Sequence, residues 1–99
     1  MLYAIISEDV PDSLQLRLQY REAHIARLQS LAAEHRLVLA GPHPAADTDD
    51  FKSVGVSGSL IVAAFDSLQQ AQAWASEDPY VVNGVHTASV VKPFVRVLP

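Results

Sequence analysis

Residues 59–65 read Ser-Leu-Ile-Val-Ala-Ala-Phe, and from Leu60 to Phe65 neither side of the segment is polar. A strand with one wet face alternates polar and apolar residues; a strand without alternation needs cover on both faces. The first strand candidate, residues 2–7, has the same character. The chain has 99 residues from which to supply both covers. A domain of this size buries about 60–70% of its unfolded surface, enough for one core with little room for a large private pocket. A site forms more easily at the edge of such a fold or between subunits.

The remaining elements follow from turn and capping signals. Val10-Pro11-Asp12 breaks the first strand, and Asp12 or Ser13 is placed to cap a long helix. That helix runs to about Glu34 without an internal Gly or Pro. Strand two is expected at 37–40, closed by Gly41-Pro42, and residues 43–57 read as a loop, acidic in the middle. Strand three, 59–65, leads to a helix capped by Asp66 or Ser67 and ending near Ser76. Asp78-Pro79 opens a short turn or helix that ends near Gly84. The last strand is expected at 88–98, with Pro93 marking an edge or bulge. The order β-α-β, β-α-β is the split-βαβ, ferredoxin-like pattern: an α+β fold, one domain over 1–99, with a four-stranded antiparallel sheet and two helices on one face. The opposite sheet face then needs a cover that two helices do not provide. A second copy of the chain, sheets face to face about a two-fold axis, is the expected cover, so a homodimer is expected. The long loop folding over the sheet is the alternative.

Composition removes several function classes. Apolar residues make up 49% and charged residues 18%, a globular balance. The net charge of −4 argues against nucleic-acid binding, which needs a basic face. No run approaches the roughly 18 consecutive apolar residues of a membrane span. There is no cysteine, which excludes thiolate chemistry, disulfides and a Cys-based zinc site. No His-x-x-x-His or His-x-His spacing occurs, so no metal is expected. No phosphate-binding loop, dinucleotide fingerprint or Gly-x-Ser-x-Gly elbow is present, which argues against ATP, NAD and a serine nucleophile; no cofactor is expected. The N-terminus, apolar for about six residues with no basic segment before it, reads as a strand and not a signal peptide, and a cytoplasmic location is expected.

The long helix carries the chemical signal. At about 100° per residue, Leu14, Leu18, Ile25, Leu28 and Ala32 share one face, with Leu31 on its flank. Arg17, Arg21 and His24 project into the same sector at spacings of four and three. Arg17 and Arg21 can snorkel to water, and His24 can be a core-edge histidine satisfied by a backbone carbonyl. The cluster instead suggests a cleft lined by an imidazole and two guanidiniums. His43, stiffened between Pro42 and Pro44, and Gly41 are further candidates to bind a substrate, because loops after strands carry sites. His35 is read as a surface residue at a helix C-terminus, and His86 has no supporting feature. Asp78 before Pro79 is a standard helix cap; its second oxygen is free to accept a hydrogen bond from a histidine, which would fix the imidazole tautomer.

The stretches Arg21-Glu-Ala-His24-Ile-Ala-Arg-Leu28, Leu39-Ala-Gly41-Pro42, Gly58-Ser59-Leu-Ile-Val, Ala71-Gln-Ala-Trp74-Ala-Ser-Glu-Asp78-Pro79-Tyr80 and Val91-Lys92-Pro93-Phe94 occur in an order and spacing that resembles the YciI (YCII-related) family over essentially the whole chain. The resemblance implies a dimeric α+β barrel of ferredoxin-like halves, related in fold to muconolactone isomerase and small monooxygenases. It also implies an active site with a His–Asp pair, matched here by His24 and Asp78, with Arg21 at a frequent family position. Ile25 stands where Leu is more usual. The resemblance implies no single reaction.

Two functions of different class are therefore expected. In the first, His24 is a general acid or base oriented by Asp78, while Arg21 or a backbone N–H near Gly41-Pro42 steadies charge on a substrate oxygen. The reaction is then proton abstraction next to a carbonyl, an isomerisation or elimination on a small, cyclic, anionic substrate. In the second, the same pocket binds an anion without turnover, as a dimeric binding or accessory module. A structural dimer whose polar stripe faces solvent is the third possibility.

Overall fold

The computed structural model describes residues 1–99 and orders them as β1 (Leu2–Asp9), α1 (Leu14–Ala33), β2 (Leu37–Pro44), α2 (Phe51–Val54), β3 (Val56–Ala64), α3 (Leu68–Ser76), α4 (Pro79–Val82) and β4 (His86–Phe94). The strands form one antiparallel sheet in the order β2-β3-β1-β4. Both long helices lie on one face, as the split-βαβ pattern requires.

Strand register sets which residues each face receives. Tyr3 and Ile5 on β1 lie opposite Ala63 and Ile61 on β3. These four pack with Phe65, with Leu28 and Leu31 of α1, and with Ala71 and Ala75 of α3 to form the core. Alanine at 71 and 75, both buried, lets α3 approach the sheet closely. Trp74 packs on Phe65 at 5.7 Å, and the Arg27 guanidinium lies 4.2 Å above the indole while its Nη2 donates to the Trp74 carbonyl. The opposite sheet face carries Ile6, Leu39, Val90 and Phe94, which are 38–49% exposed. Ile6 sits directly across from Val90, and Leu2 across from Phe94, so the exposed apolar residues form a band rather than scattered singles.

The element boundaries differ from expectation in physically instructive ways. β2 continues through Gly41-Pro42-His43-Pro44 instead of stopping at Ala40. It is an edge strand, where a proline costs no ladder hydrogen bond. The expected loop 43–57 contains the single turn α2, and β3 begins at Val56. β4 spans 86–94, and residues 95–99 lie beyond it, exposed. Ser13 occupies the N-cap position of α1 but its hydroxyl makes no cap; it donates to Asp9 Oδ2 at 2.6 Å. α1 ends with His35 in the left-handed region, φ 59°, a common helix terminator. Ser67 and Asp78 do cap, accepting from the N–H groups of Gln70 and Tyr80.

The apolar stripe expected on α1 is also corrected. Leu18 and Ala32 are exposed, and the buried seam is Arg17, His24, Leu28 and Leu31. Two polar residues take the buried positions because each meets a carboxylate there.

Candidate active site

A cleft of about 730 Å³ opens between α1, the second half of β2 and α2. Its walls include Leu14, Leu18, Ile25 and Val56, and Tyr80 forms part of its lining. Arg21 and Lys52 line it without an ion pair, Arg17 lines it already paired with Asp9, and no Asp or Glu lines it. In a chain with a net charge of −4, that arrangement gives the cleft a local positive field suited to an anion.

At its inner wall His24 and Asp78 meet. The two residues are 54 apart in sequence and belong to α1 and the cap of α4. Nδ1 of His24 lies 2.9 Å from Asp78 Oδ1 and 3.0 Å from Oδ2, and both side chains are buried. An ionised carboxylate only accepts, so Nδ1 carries the hydrogen and Nε2 keeps its lone pair. Nε2 has no partner in the chain, yet it is not among the sealed polar atoms. Asp78 serves twice: Oδ1 also accepts the Tyr80 N–H at 2.9 Å, capping α4. Burial alone pushes the Asp78 carboxyl up, but the hydrogen bonds from His24 and the Tyr80 N–H, with the imidazole's charge when it is protonated, outweigh it and hold the group below its usual range. Asp78 is therefore a carboxylate at neutral pH.

The imidazole is held from its face as well. The Tyr80 ring stacks on it at 4.0 Å with an interplanar angle of 9°. The Tyr80 hydroxyl donates to the Arg17 carbonyl at 3.2 Å, and burial pushes its phenol up, only partly countered by Arg17 and Arg21, so it stays neutral.

Arg17 does not snorkel. Its Nε and Nη2 donate to Asp9 at 2.6 and 3.2 Å, and Nη2 also donates to the Gly58 carbonyl at 3.1 Å. Glycine is required at 58, where β1 and β3 approach so closely that a Cβ would overlap the Ser7 carbonyl oxygen. Arg21 is exposed, forms no ion pair and lines the cleft mouth. Gly41 lines the cleft. His43 does not: it is exposed and outside the cleft lining, because period-two alternation turns it from the side its neighbour Pro42 presents.

Two features escaped the sequence reading. Lys52 enters the cleft because the expected loop folds into α2. His86, which carried no sequence signal, donates from Nδ1 to Asp9 Oδ1 at 2.8 Å, making a second buried His–Asp pair. The signal lay in topology: Asp9 ends β1 and His86 starts the antiparallel β4, so pairing these strands brings the two ends together. No group of three or more His, Asp or Glu side chains gathers in metal-binding geometry, and no helix is long and apolar enough to cross a membrane.

Comparison with known proteins places this architecture. The YCII-related domain model matches residues 1–95. The chain belongs to the YCII-related family. The protein YciI of Escherichia coli is 53% identical over 97 residues, covering 98% of this chain and 99% of that protein. An uncharacterised protein of Haemophilus influenzae is 47% identical with the same coverage. Among solved structures, the 5-chloro-2-hydroxyhydroquinone dehydrochlorinase of Burkholderia phenoliruptrix, in complex with 2,5-dihydroxybenzoquinone, is 30% identical and superposes with a TM-score of 0.83, covering 96% of this chain and 94% of that one. That structural relative is an enzyme acting on a small molecule.

Proposed function

We propose that this chain is a small-molecule acid–base enzyme that works as a homodimer, with His24 and Asp78 as its catalytic pair. The observation that carries the reading is the pairing of His24 Nδ1 with a buried carboxylate while Nε2 stays unclaimed beside a cationic cleft. Nε2 takes a proton from a carbon or oxygen of a small anionic ring. The electron pair left behind forms a new π bond, and either a leaving group departs or the proton returns at another carbon. Asp78 stabilises the imidazolium that forms. Arg21, Lys52 and a backbone group near Gly41 face the oxygen that gains charge. The dehydrochlorinase relative performs a reaction of this class on a hydroxylated ring, and a planar acidic ring compound is bound in its structure.

Two probes test the reading. 2,5-Dihydroxybenzoquinone is expected to bind saturably, followed by its visible absorbance, and 5-chloro-2-hydroxyhydroquinone to release chloride. His24→Gln should keep most of the binding and lose chloride release. Arg21→Ala should weaken binding. Binding with no turnover by the unchanged protein on any such ring supports the module reading; no binding to the cleft contradicts both.

The dimer rests on the exposed band of Ile6, Leu39, Val90 and Phe94. A second copy laid sheet to sheet covers this band with the same band. Ile6→Glu puts a charge at its middle, opposite Val90. The expected result is a monomer in sedimentation analysis where the parent sediments as a dimer; an unchanged dimer would move the interface elsewhere.

A further inference from the structure

We propose that Asp9 and His86, outside the cleft, are positioning residues that hold the plane of His24 through Arg17 and Tyr80. This inference rests on His24 being the acid–base group of the cleft. Asp9 has a fully buried carboxylate with four donors on it: Ser13 Oγ, Arg17 Nε and Nη2, and His86 Nδ1. None of these bonds touches the cleft pair directly. Their effect converges on Tyr80, whose ring stands between the two histidines. One face stacks on His24, and its contact with His86 is edge-on, at 5.5 Å and 89°. The Arg17 guanidinium lies 5.0 Å from the same ring, and the Arg17 carbonyl takes the Tyr80 hydroxyl.

Arg17 and His86 both pack on the Tyr80 ring, and both are tied to one carboxylate. Asp78 fixes which nitrogen of His24 points at it, but a hydrogen bond along the ring edge leaves rotation about that bond weakly restrained. The stacked ring supplies the missing restraint. A general base 1 Å out of place loses about a hundredfold, so a support of this kind bears on catalysis without meeting substrate. A cluster built only for stability has a simpler apolar equivalent, since well-packed apolar residues replace buried ion pairs with no loss in many proteins. The cost of burying Asp9, Arg17 and His86 together is consistent with a positioning duty.

The test compares His86→Leu, which removes both the bond to Asp9 and the edge against Tyr80, with His86→Asn, whose amide nitrogen sits near the position of Nδ1 and still donates to Asp9. Nitrogen-resolved NMR of the imidazoles reports the His24 tautomer, chloride release from 5-chloro-2-hydroxyhydroquinone reports turnover, and absorbance titration with 2,5-dihydroxybenzoquinone checks that the cleft is intact. In the leucine variant the His24 ring signals are expected to shift or split between tautomers, and chloride release to fall by about tenfold or more while probe binding is largely kept. The asparagine variant recovers part of that loss. A folded leucine variant with His24 signals and chloride release equal to the parent overturns the proposal. Should the leucine variant fail to fold, His86→Phe is read in its place; it fills the same space and cannot bond Asp9, and it must still displace the His24 signals. The reading of His24 itself is checked in the parent spectrum. If parent His24 lacks the hydrogen on Nδ1, or ignores the probe, that reading fails. If it passes and the His86 variants leave it unmoved, only the positioning role is lost.

Discussion

Asp78→Asn is expected to leave the fold standing and to silence His24. Asparagine caps a helix about as well as aspartate, so the Tyr80 N–H keeps its acceptor and α4 keeps its start. Stability should change by no more than about 1 kcal/mol from the cap. The imidazole loses its carboxylate. The asparagine oxygen is engaged by Tyr80, so the amide nitrogen turns to His24 Nδ1 and donates to it. Nδ1 must then accept, the hydrogen moves to Nε2, and the lone pair leaves the cleft. In a serine protease triad the equivalent exchange costs about 10⁴ in turnover through the same change of tautomer. Chloride release or ring isomerisation should fall on that scale while probe binding persists. Turnover within a few-fold of the parent would show that Asp78 only caps.

The largest stability loss is expected at Asp9. Asp9→Ala leaves the Arg17 guanidinium, the His86 Nδ1–H and the Ser13 hydroxyl buried around a missing acceptor. Breaking a buried charged pair from one side costs about 3–5 kcal/mol, a large share of the stability of a domain this size. The same group sets an acid limb. Burial raises the Asp9 carboxyl, but the His86, Arg17 and Ser13 hydrogen bonds and the Arg17 charge prevail and hold it well below its usual range. A depressed folded value means that the unfolded chain takes up the proton first. The stabilisation is therefore complete above the unfolded value, about 3.9, and is lost as pH falls below it toward the folded value. Asp78, lowered in the same direction, adds to the limb. Urea unfolding at a series of pH values from neutral downward should show stability falling through this window in the parent and a shallower fall in Asp9→Ala. Equal slopes, with a loss under about 1 kcal/mol at neutral pH, would assign the cluster no such weight.

The strand and helix order was legible because its signals are local. Val10-Pro11-Asp12 and Asp78-Pro79 punctuate the chain and mark element ends correctly, whereas Gly41-Pro42 lies inside β2. The contact between His24 and Asp78 was legible as a possibility, from a cap with an oxygen to spare beside a helix with a misplaced imidazole. Burial on α1 was misread for a definite reason. Periodicity ranks residues by hydrophobicity, so it put Leu18 inward and left Arg17 to water. In the fold, Arg17 is buried because Asp9 and Gly58 await it, and Leu18 is 59% exposed at the cleft. A partner across the sheet has no local trace. The same blindness hid His86, whose partner is 77 residues away. The expected loop at His43 is instead edge strand: two flanking prolines suggest a stiff loop, but on an edge strand they are compatible with pairing, and alternation turns the imidazole away from the cleft.

The most direct measurement is the response of the His24 ring nitrogens to 2,5-dihydroxybenzoquinone at neutral pH. The account predicts Nδ1 protonated and bonded before addition, a saturable displacement of the Nε2 resonance on binding, and a shift of that displacement to higher ligand concentration when Arg21 is replaced by alanine. An Nε2 signal that stays still at saturating ligand would contradict it, because the imidazole would then face something other than the bound ring.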